Sequence, residues 1–135
     1  PKIELVSGLV FLAYLFVVAG GHWPQVDASH DLRAEQFGEA VLAQAPADAL
    51  VFAQGDRAVF ALWYFHYALR ERSDLVIVAT DLLHFAWYQD MLKDNYPSLE
   101  IIGPFPFYST IIASNPERPV CYIQYYEQAV IRCSP

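Results

Sequence analysis

Two acidic turns mark where chemistry could sit in this chain. "AQGDR" places Gly55, Asp56 and Arg57 directly after a short apolar run that ends at Gln54. "ATDLLH" places Thr80, Asp81 and His84 after a second run. If both runs are parallel strands, these residues gather at the strands' C-terminal ends, where open α/β sheets bind ligands. An Asp at each strand end with a His one turn on could bind a sugar or a metal, or do acid–base work. The simpler role of an Asp at a helix start is capping, worth about 1 kcal/mol, and it needs nothing else from the sequence. No G-x-G-x-x-G follows a strand, and no Walker loop, G-x-S-x-G elbow or H-E-x-x-H occurs. His22, His30, His66 and His84 are scattered, and His66, among rings, reads as a packed core or surface residue rather than a ligand. Neither a metal site nor a cofactor is expected.

The second candidate constellation is aromatic. In "VFALWYFHYAL" Phe60, Trp63, Tyr64, Phe65, His66 and Tyr67 fall within two helical turns. On a helix over 57–72, Val59, Leu62, Trp63, His66 and Leu69 mark one face, expected on the sheet, while Phe60, Tyr64 and Tyr67 mark a second. Phe85, Trp87 and Tyr88 spread in the same way on the next helix. Part of this is core, since each ring buries a large area. The surplus predicts docking by Phe60, Trp63, Tyr64, Tyr67, Trp87 and Tyr88 onto a membrane surface or a neighbouring protein segment.

The elements that must position these residues alternate in type. Ser29 and Asp31 are natural N-caps for a helix whose stripe is Ala34, Phe37, Gly38, Val41, Leu42 and Ala45, with Arg33, Gln36, Glu39 and Gln44 facing water and Pro46 closing it. Residues 49–54 and 74–80 read as strands buried on both faces. Asp56 caps the helix 57–72, and Asp81 caps another that stops before Pro97. Residues 99–103 read as a third, shorter strand, "PFPFY" breaks regularity, and "STIIASN" makes one or two helical turns. Residues 120–124 and 129–133 are strands near the C-terminus. Alternating strands and helices predict right-handed βαβ units and a mainly parallel sheet, hence a small three-layer, Rossmann-like α/β domain.

At 135 residues there is room for one such domain and not two. The composition is apolar, with 56% hydrophobic and only 17% charged residues against a usual quarter. Fifteen acids against eight bases give a net charge of −7, with no Lys or Arg cluster, which excludes nucleic acid as a partner. The sequence opens at Pro1 rather than Met, which predicts a piece of a longer protein or a processed product.

Leu5 to Gly21 carries no charge. As a helix these residues rise about 26 Å, and extension through His22 and Trp23 approaches the roughly 30 Å hydrocarbon thickness, with Trp23 suited to the interface. A secretory signal has a shorter apolar core and a more basic start, and a buried helix of a soluble domain is the plainest rival. The expectation is a transmembrane helix over 3–23, a connector over 24–31 and an α/β domain over 32–135. Asp27, Asp31, Glu35 and Glu39 follow the helix, and positive charge prefers the cytoplasm, so the domain is expected on the extracytoplasmic side. Cys121 and Cys133 match no zinc pattern. In an oxidising compartment a hairpin of the last two strands would let them pair; otherwise they are two separate buried thiols.

The stretch from Gly55 to Leu92 resembles the extracytoplasmic segment after the last membrane helices of a multi-pass family, the protein O-mannosyltransferase-like proteins. The matching residues are Gly55, Asp56, Leu62, Trp63, Tyr64, Arg72, Asp74, Val76, Leu82, Leu83, Trp87, Tyr88 and Leu92. "VDASHD" upstream and "NPERPV" downstream are similar in placement, so the resemblance covers roughly 26–124. It departs after "GD", where Arg57 and an apolar run stand in place of the polar residue common in that family. The resemblance implies a membrane-embedded glycosyltransferase of the C-type superfold that uses a lipid-linked donor. Its catalytic carboxylate would sit in an early loop with no counterpart in these residues, so no catalytic residue is carried over. The reading is a non-catalytic, membrane-anchored extracytoplasmic domain that docks to the membrane-embedded part or to an acceptor. A single-span accessory subunit of a larger membrane complex, and an enzyme domain using the Asp/His cleft, are the rival readings.

Overall fold

The computed structural model describes residues 2–103, 108–125 and 129–134, which form two compact units, Pro1–Asp31 and Leu32–Pro135. The first unit is one helix, α1 (Lys2–Val26), followed by a short turn. Its segment Glu4–Val26 is 23 residues long, of mean hydropathy 1.9 in its most apolar window, and none of that window is buried. At 1.5 Å per residue it spans about 34 Å, enough to cross a bilayer. The helix runs three residues past the expected end at 23. Pro24 has no N–H for the helical ladder, but Asp27 N–H still reaches the Trp23 carbonyl at 2.9 Å, so the last turn closes around it.

The second unit is a mixed α/β fold. In chain order its elements are α2 (Arg33–Gln44), β1 (Leu50–Gln54), α3 (Asp56–Trp63) running into a π turn (Tyr64–Ala68), β2 (Val76–Ala79), a 3₁₀ turn (Thr80–Leu82), α4 (Ala86–Asn95), α5 (Tyr108–Ser114), β3 (Val120–Tyr125) and β4 (Ala129–Ser134). The four strands form one sheet in the order β2-β1-β3-β4, parallel except for the antiparallel edge pair β3–β4. Leu50 to Ala53 and Val76 to Ala79 are buried throughout, as continuous apolar runs in parallel strands should be. β3 instead alternates, with Tyr122 and Gln124 exposed between Cys121, Ile123 and Tyr125. Cys121 and Cys133 face each other in the β3–β4 ladder and are joined by a disulfide.

One sheet face carries Val51, Ala53, Cys121, Ile123 and Tyr125, and α2 and α3 pack together over it. The Phe37 ring lies 4.7 Å from that of Tyr125, and the Arg57 guanidinium lies over the same ring at 5.9 Å. Phe37, Gly38, Val41 and Leu42 form the buried face of α2. Gly38 is needed there: a Cβ at that position would stand 2.3 Å from the Phe65 ring.

Several local expectations give way to tertiary contacts. The helix expected over 57–72 ends its α section at Trp63 and widens. Leu69 N–H bonds back five residues to the Tyr64 carbonyl at 3.1 Å, and Glu71 N–H reaches the Phe65 carbonyl at 3.0 Å. The wide turn swings Phe65 into the core with His66 and leaves Leu69 exposed, although Leu69 and not Phe65 fits a 3.6-residue period. The expected caps are not used. Leu32, Gly55 and Phe85, not the expected Asp31, Asp56 and Asp81, take the N-cap positions of α2, α3 and α4, and none of the three caps its helix through a side chain. Residues 99–103 form no strand. Asn115 takes up the backbone there, its Nδ2 donating to the Glu100 carbonyl at 2.9 Å and its Oδ1 accepting from Glu100 N–H at 3.1 Å. The irregular segment "PFPFY" lies, apart from Tyr108, outside the described residues.

Arg72 ties the unit together. Its guanidinium donates to the carbonyls of Leu42, Ala45 and Pro46 and to both carboxylate oxygens of Asp74. Asp74 also accepts the N–H of Asp48 at 3.3 Å. The carbonyls left open at the end of α2 thus find partners in the loop before β2.

Candidate functional site

The alternation of β3 leaves an open patch on the second sheet face, toward the C-terminal ends of the parallel strands. Strand register sets two rows of side chains there: Phe52, Tyr122 and Arg132 in one, Gln54, Gln124 and Val130 in the next. The 3₁₀ turn adds Thr80 and Asp81, and the first residue of α5 adds Tyr108. Together they line a cleft of about 610 Å³. Phe52 is buried beneath, stacked against Tyr122 with centroids 5.8 Å apart. The Tyr108 ring stands at 90° to that of Tyr122, 6.2 Å away, and the two remain 51% and 42% exposed. Asp81 is held in place because its Oδ2 accepts the Gly55 N–H at 2.9 Å, and Thr80 Oγ1 donates to the Ala53 carbonyl at 3.2 Å. The two strand ends are therefore laced together by the "GD" and "TD" turns. The positive φ of Gly55, 81°, favours glycine at the point where its N–H meets Asp81.

The strand-end residues singled out in the sequence do not converge. Of Gly55, Asp56, Arg57, Asp81 and His84, only Asp81 lines the cleft. Gly55 serves it through the backbone, Asp56 is the first residue of α3, and Arg57 lies on the opposite face over Tyr125. His84 packs its ring against Phe85 at 3.9 Å. Among the described residues no group of three His, Cys, Asp or Glu side chains is placed to hold a metal. Sequence reasoning missed Tyr108, Tyr122, Gln124 and Arg132. The alternation "VCYIQY" carried a signal for Tyr122 and Gln124, whereas Tyr108 is brought in only by the tertiary fold.

A second surface feature is a run of touching rings. Phe60 meets Trp63 at 6.1 Å, Trp63 meets Tyr67 at 6.2 Å and Tyr88 at 6.3 Å, and Tyr88 leads through Trp87 at 5.7 Å to Phe85 at 6.1 Å. Phe60 is 62% exposed and Tyr64 and Trp87 are each 56% exposed. Tyr67 and Phe85 are also exposed, and Trp63 is half-buried. Tyr88 corrects the docking set. It is fully buried, and its hydroxyl accepts the Ala79 N–H at 2.7 Å, closing the end of β2.

Beneath this band lies a buried polar chain. Tyr96 Oη is 2.9 Å from His66 Nε2 and 3.1 Å from Tyr67 Oη. Burial, the largest effect, holds the His66 imidazole below its ordinary range, against the opposing pull of the nearby Arg72 and Glu71 backbone and of the Asp74 charge. Burial likewise pushes the Tyr96 and Tyr88 hydroxyls up, so both stay protonated. The hydrogen bonds from Arg72 bring Asp74 down to about 2. The clamped Asp74 carboxylate and the protonated Tyr88 and Tyr96 hydroxyls suit structural roles.

Comparison with known proteins agrees with the resemblance read from the sequence. The mouse (Mus musculus) protein named Protein O-mannosyl-transferase TMEM260 is 26% identical over 102 residues, which are 76% of this chain and 14% of that protein. This chain therefore spans about one seventh of the length of that curated relative. No solved structure matches it. The relationship and the one apolar helix together support a membrane location. The family described as TMEM260-associated domain 2 matches residues 34–108, from α2 through β1, α3, β2 and α4 to the start of α5. With more than half of its residues inside that match, this chain belongs to the TMEM260-associated domain 2 family.

Proposed function

We propose that the second unit is a non-catalytic, extracytoplasmic domain of a glycosyltransferase-like membrane protein, Rossmann-like in plan, that docks through its ring band onto membrane-embedded protein segments. The observation that carries this is the set of solvent-facing rings Phe60, Tyr64, Tyr67, Phe85 and Trp87 on α3, the π turn and α4, of which Phe60 and Tyr67 meet at Trp63 and Phe85 meets Trp87. Clustered exposed rings of this kind mark interaction surfaces on stable proteins. Two further features support the side of the membrane: the disulfide Cys121–Cys133, which suits an oxidising compartment, and the acids Asp27, Asp31, Glu35 and Glu39 after α1. A catalytic role for Asp56, Asp81 and His84 has no shared geometry behind it.

Photo-crosslinking in the native membrane tests the docking. A photoreactive residue at 60 or 87 should capture membrane-embedded protein segments, and one at Glu39, on the solvent face of α2, should capture none. Capture of lipid alone, or equal capture from all three positions, contradicts docking onto protein.

A further inference from the structure

We propose that the cleft on the open sheet face binds one pyranose ring of a glycan. A pyranose is amphipathic in a particular way, with C–H bonds on its flat faces and hydroxyls around its rim. The faces are drawn to the electron-rich faces of aromatic rings, and each hydroxyl needs both a donor and an acceptor nearby. The cleft matches that division. Tyr122, backed by Phe52, offers a platform, and Tyr108 stands perpendicular to it as a wall 6.2 Å away. The rim carries amide side chains at Gln54 and Gln124, an acceptor at Asp81 and a donor at Arg132. Asp81 is already fixed by the Gly55 N–H, so its acceptor is ordered before a ligand arrives.

Other ligand classes fit less well. An anion would meet the Asp81 carboxylate across from a single arginine, in a chain of net charge −7. A purely apolar ligand would strip water from the polar rim without replacing its hydrogen bonds. The volume of about 610 Å³ lies within the roughly 300–1,000 Å³ of small-molecule sites. This inference does not rest on docking by the ring band: crosslinking from 60 and 87 can fail while glycan binding stands, and the reverse.

The test uses the full chain in zwitterionic micelles free of glycosidic detergent, with methyl α-D-mannopyranoside and methyl β-D-glucopyranoside as probes in saturation-transfer NMR. At least one glycoside should receive saturation, with its ring C–H protons nearest the protein. Tyr122→Ala should weaken binding about tenfold, the worth of one ring contact. Gln54→Ala, at an exposed strand end, supplies a second reading whether or not the tyrosine variant folds, and should also weaken binding. Thermal melts of each variant separate a lost site from a lost fold. No transfer from the folded chain to either glycoside, or transfer unchanged in both variants, overturns the proposal. So does saturation of an unglycosylated peptide of mixed sequence in place of the glycosides.

Discussion

At the scale of single residues, the side chains that match the family pattern divide by what they touch. Arg72 and Asp74 form a clamp rather than a ligand site, Leu62, Val76 and Leu92 fill the core, and Tyr88 closes β2 through its hydroxyl. Arg72→Ala removes the donor to three carbonyls of the α2 end and to Asp74, and should cost on the order of 2 kcal/mol in denaturant unfolding, discounted because the pair is partly exposed. The acid dependence follows from the same contacts. The carboxyl of Asp74 lies at about 2 in the folded chain, below its free value, so its contribution is present above about pH 4 and is lost as pH falls toward 2. His66 is also held low, so folding loses stability as pH drops below about 6.5, where the unfolded imidazole takes up a proton and the buried one resists it. Urea midpoints should therefore fall from about pH 7.5 to about pH 5.5, and His66→Gln should flatten that slope.

Elements were legible where one physical signal dominated. The apolar runs at 50–53 and 76–79 have no alternative to burial, and the stripe Phe37, Gly38, Val41 and Leu42 is a single helical face. Two features were hidden because tertiary contacts decide them. The π turn exists where Phe65 must reach the core beside Gly38, and nothing in a 3.6-residue period announces it. The segment 99–103 has the composition of a strand, but Asn115, fifteen residues on from Glu100, takes its hydrogen bonds instead. The cleft was half legible for the same reason: Asp81 stands at a strand end as expected, while Tyr108 and Arg132 arrive from distant segments through register and packing. Gly38→Ala tests the helix contact. Helix propensity favours Ala by about 1 kcal/mol, but overpacking against Phe65 costs about 1–3 kcal/mol, so a net loss of about 1 kcal/mol is expected in the thermal melt. Cys133→Ser opens a loop of sequence separation 12 in the terminal hairpin and should lower stability by about 3 kcal/mol, measured against the oxidised parent.

On the scale of the whole molecule, two units of different solvent character share one chain. α1 is apolar and exposed on all sides from Glu4 onward, while the α/β unit keeps its own core and leaves one band of rings uncovered. Both features fit a membrane protein in which lipid covers the helix and protein covers the rings. The tyrosine-walled cleft on the open sheet face is separate from that band and, on this account, stays available to a ligand. Hydroxyl-radical footprinting tests this arrangement most directly, by comparing the chain in its native membrane with the same chain purified in micelles. Oxidation of Phe60, Tyr64 and Trp87 should fall several-fold in the membrane while that of Tyr108 and Tyr122 stays the same. Equal oxidation of the ring band in both settings would contradict the account.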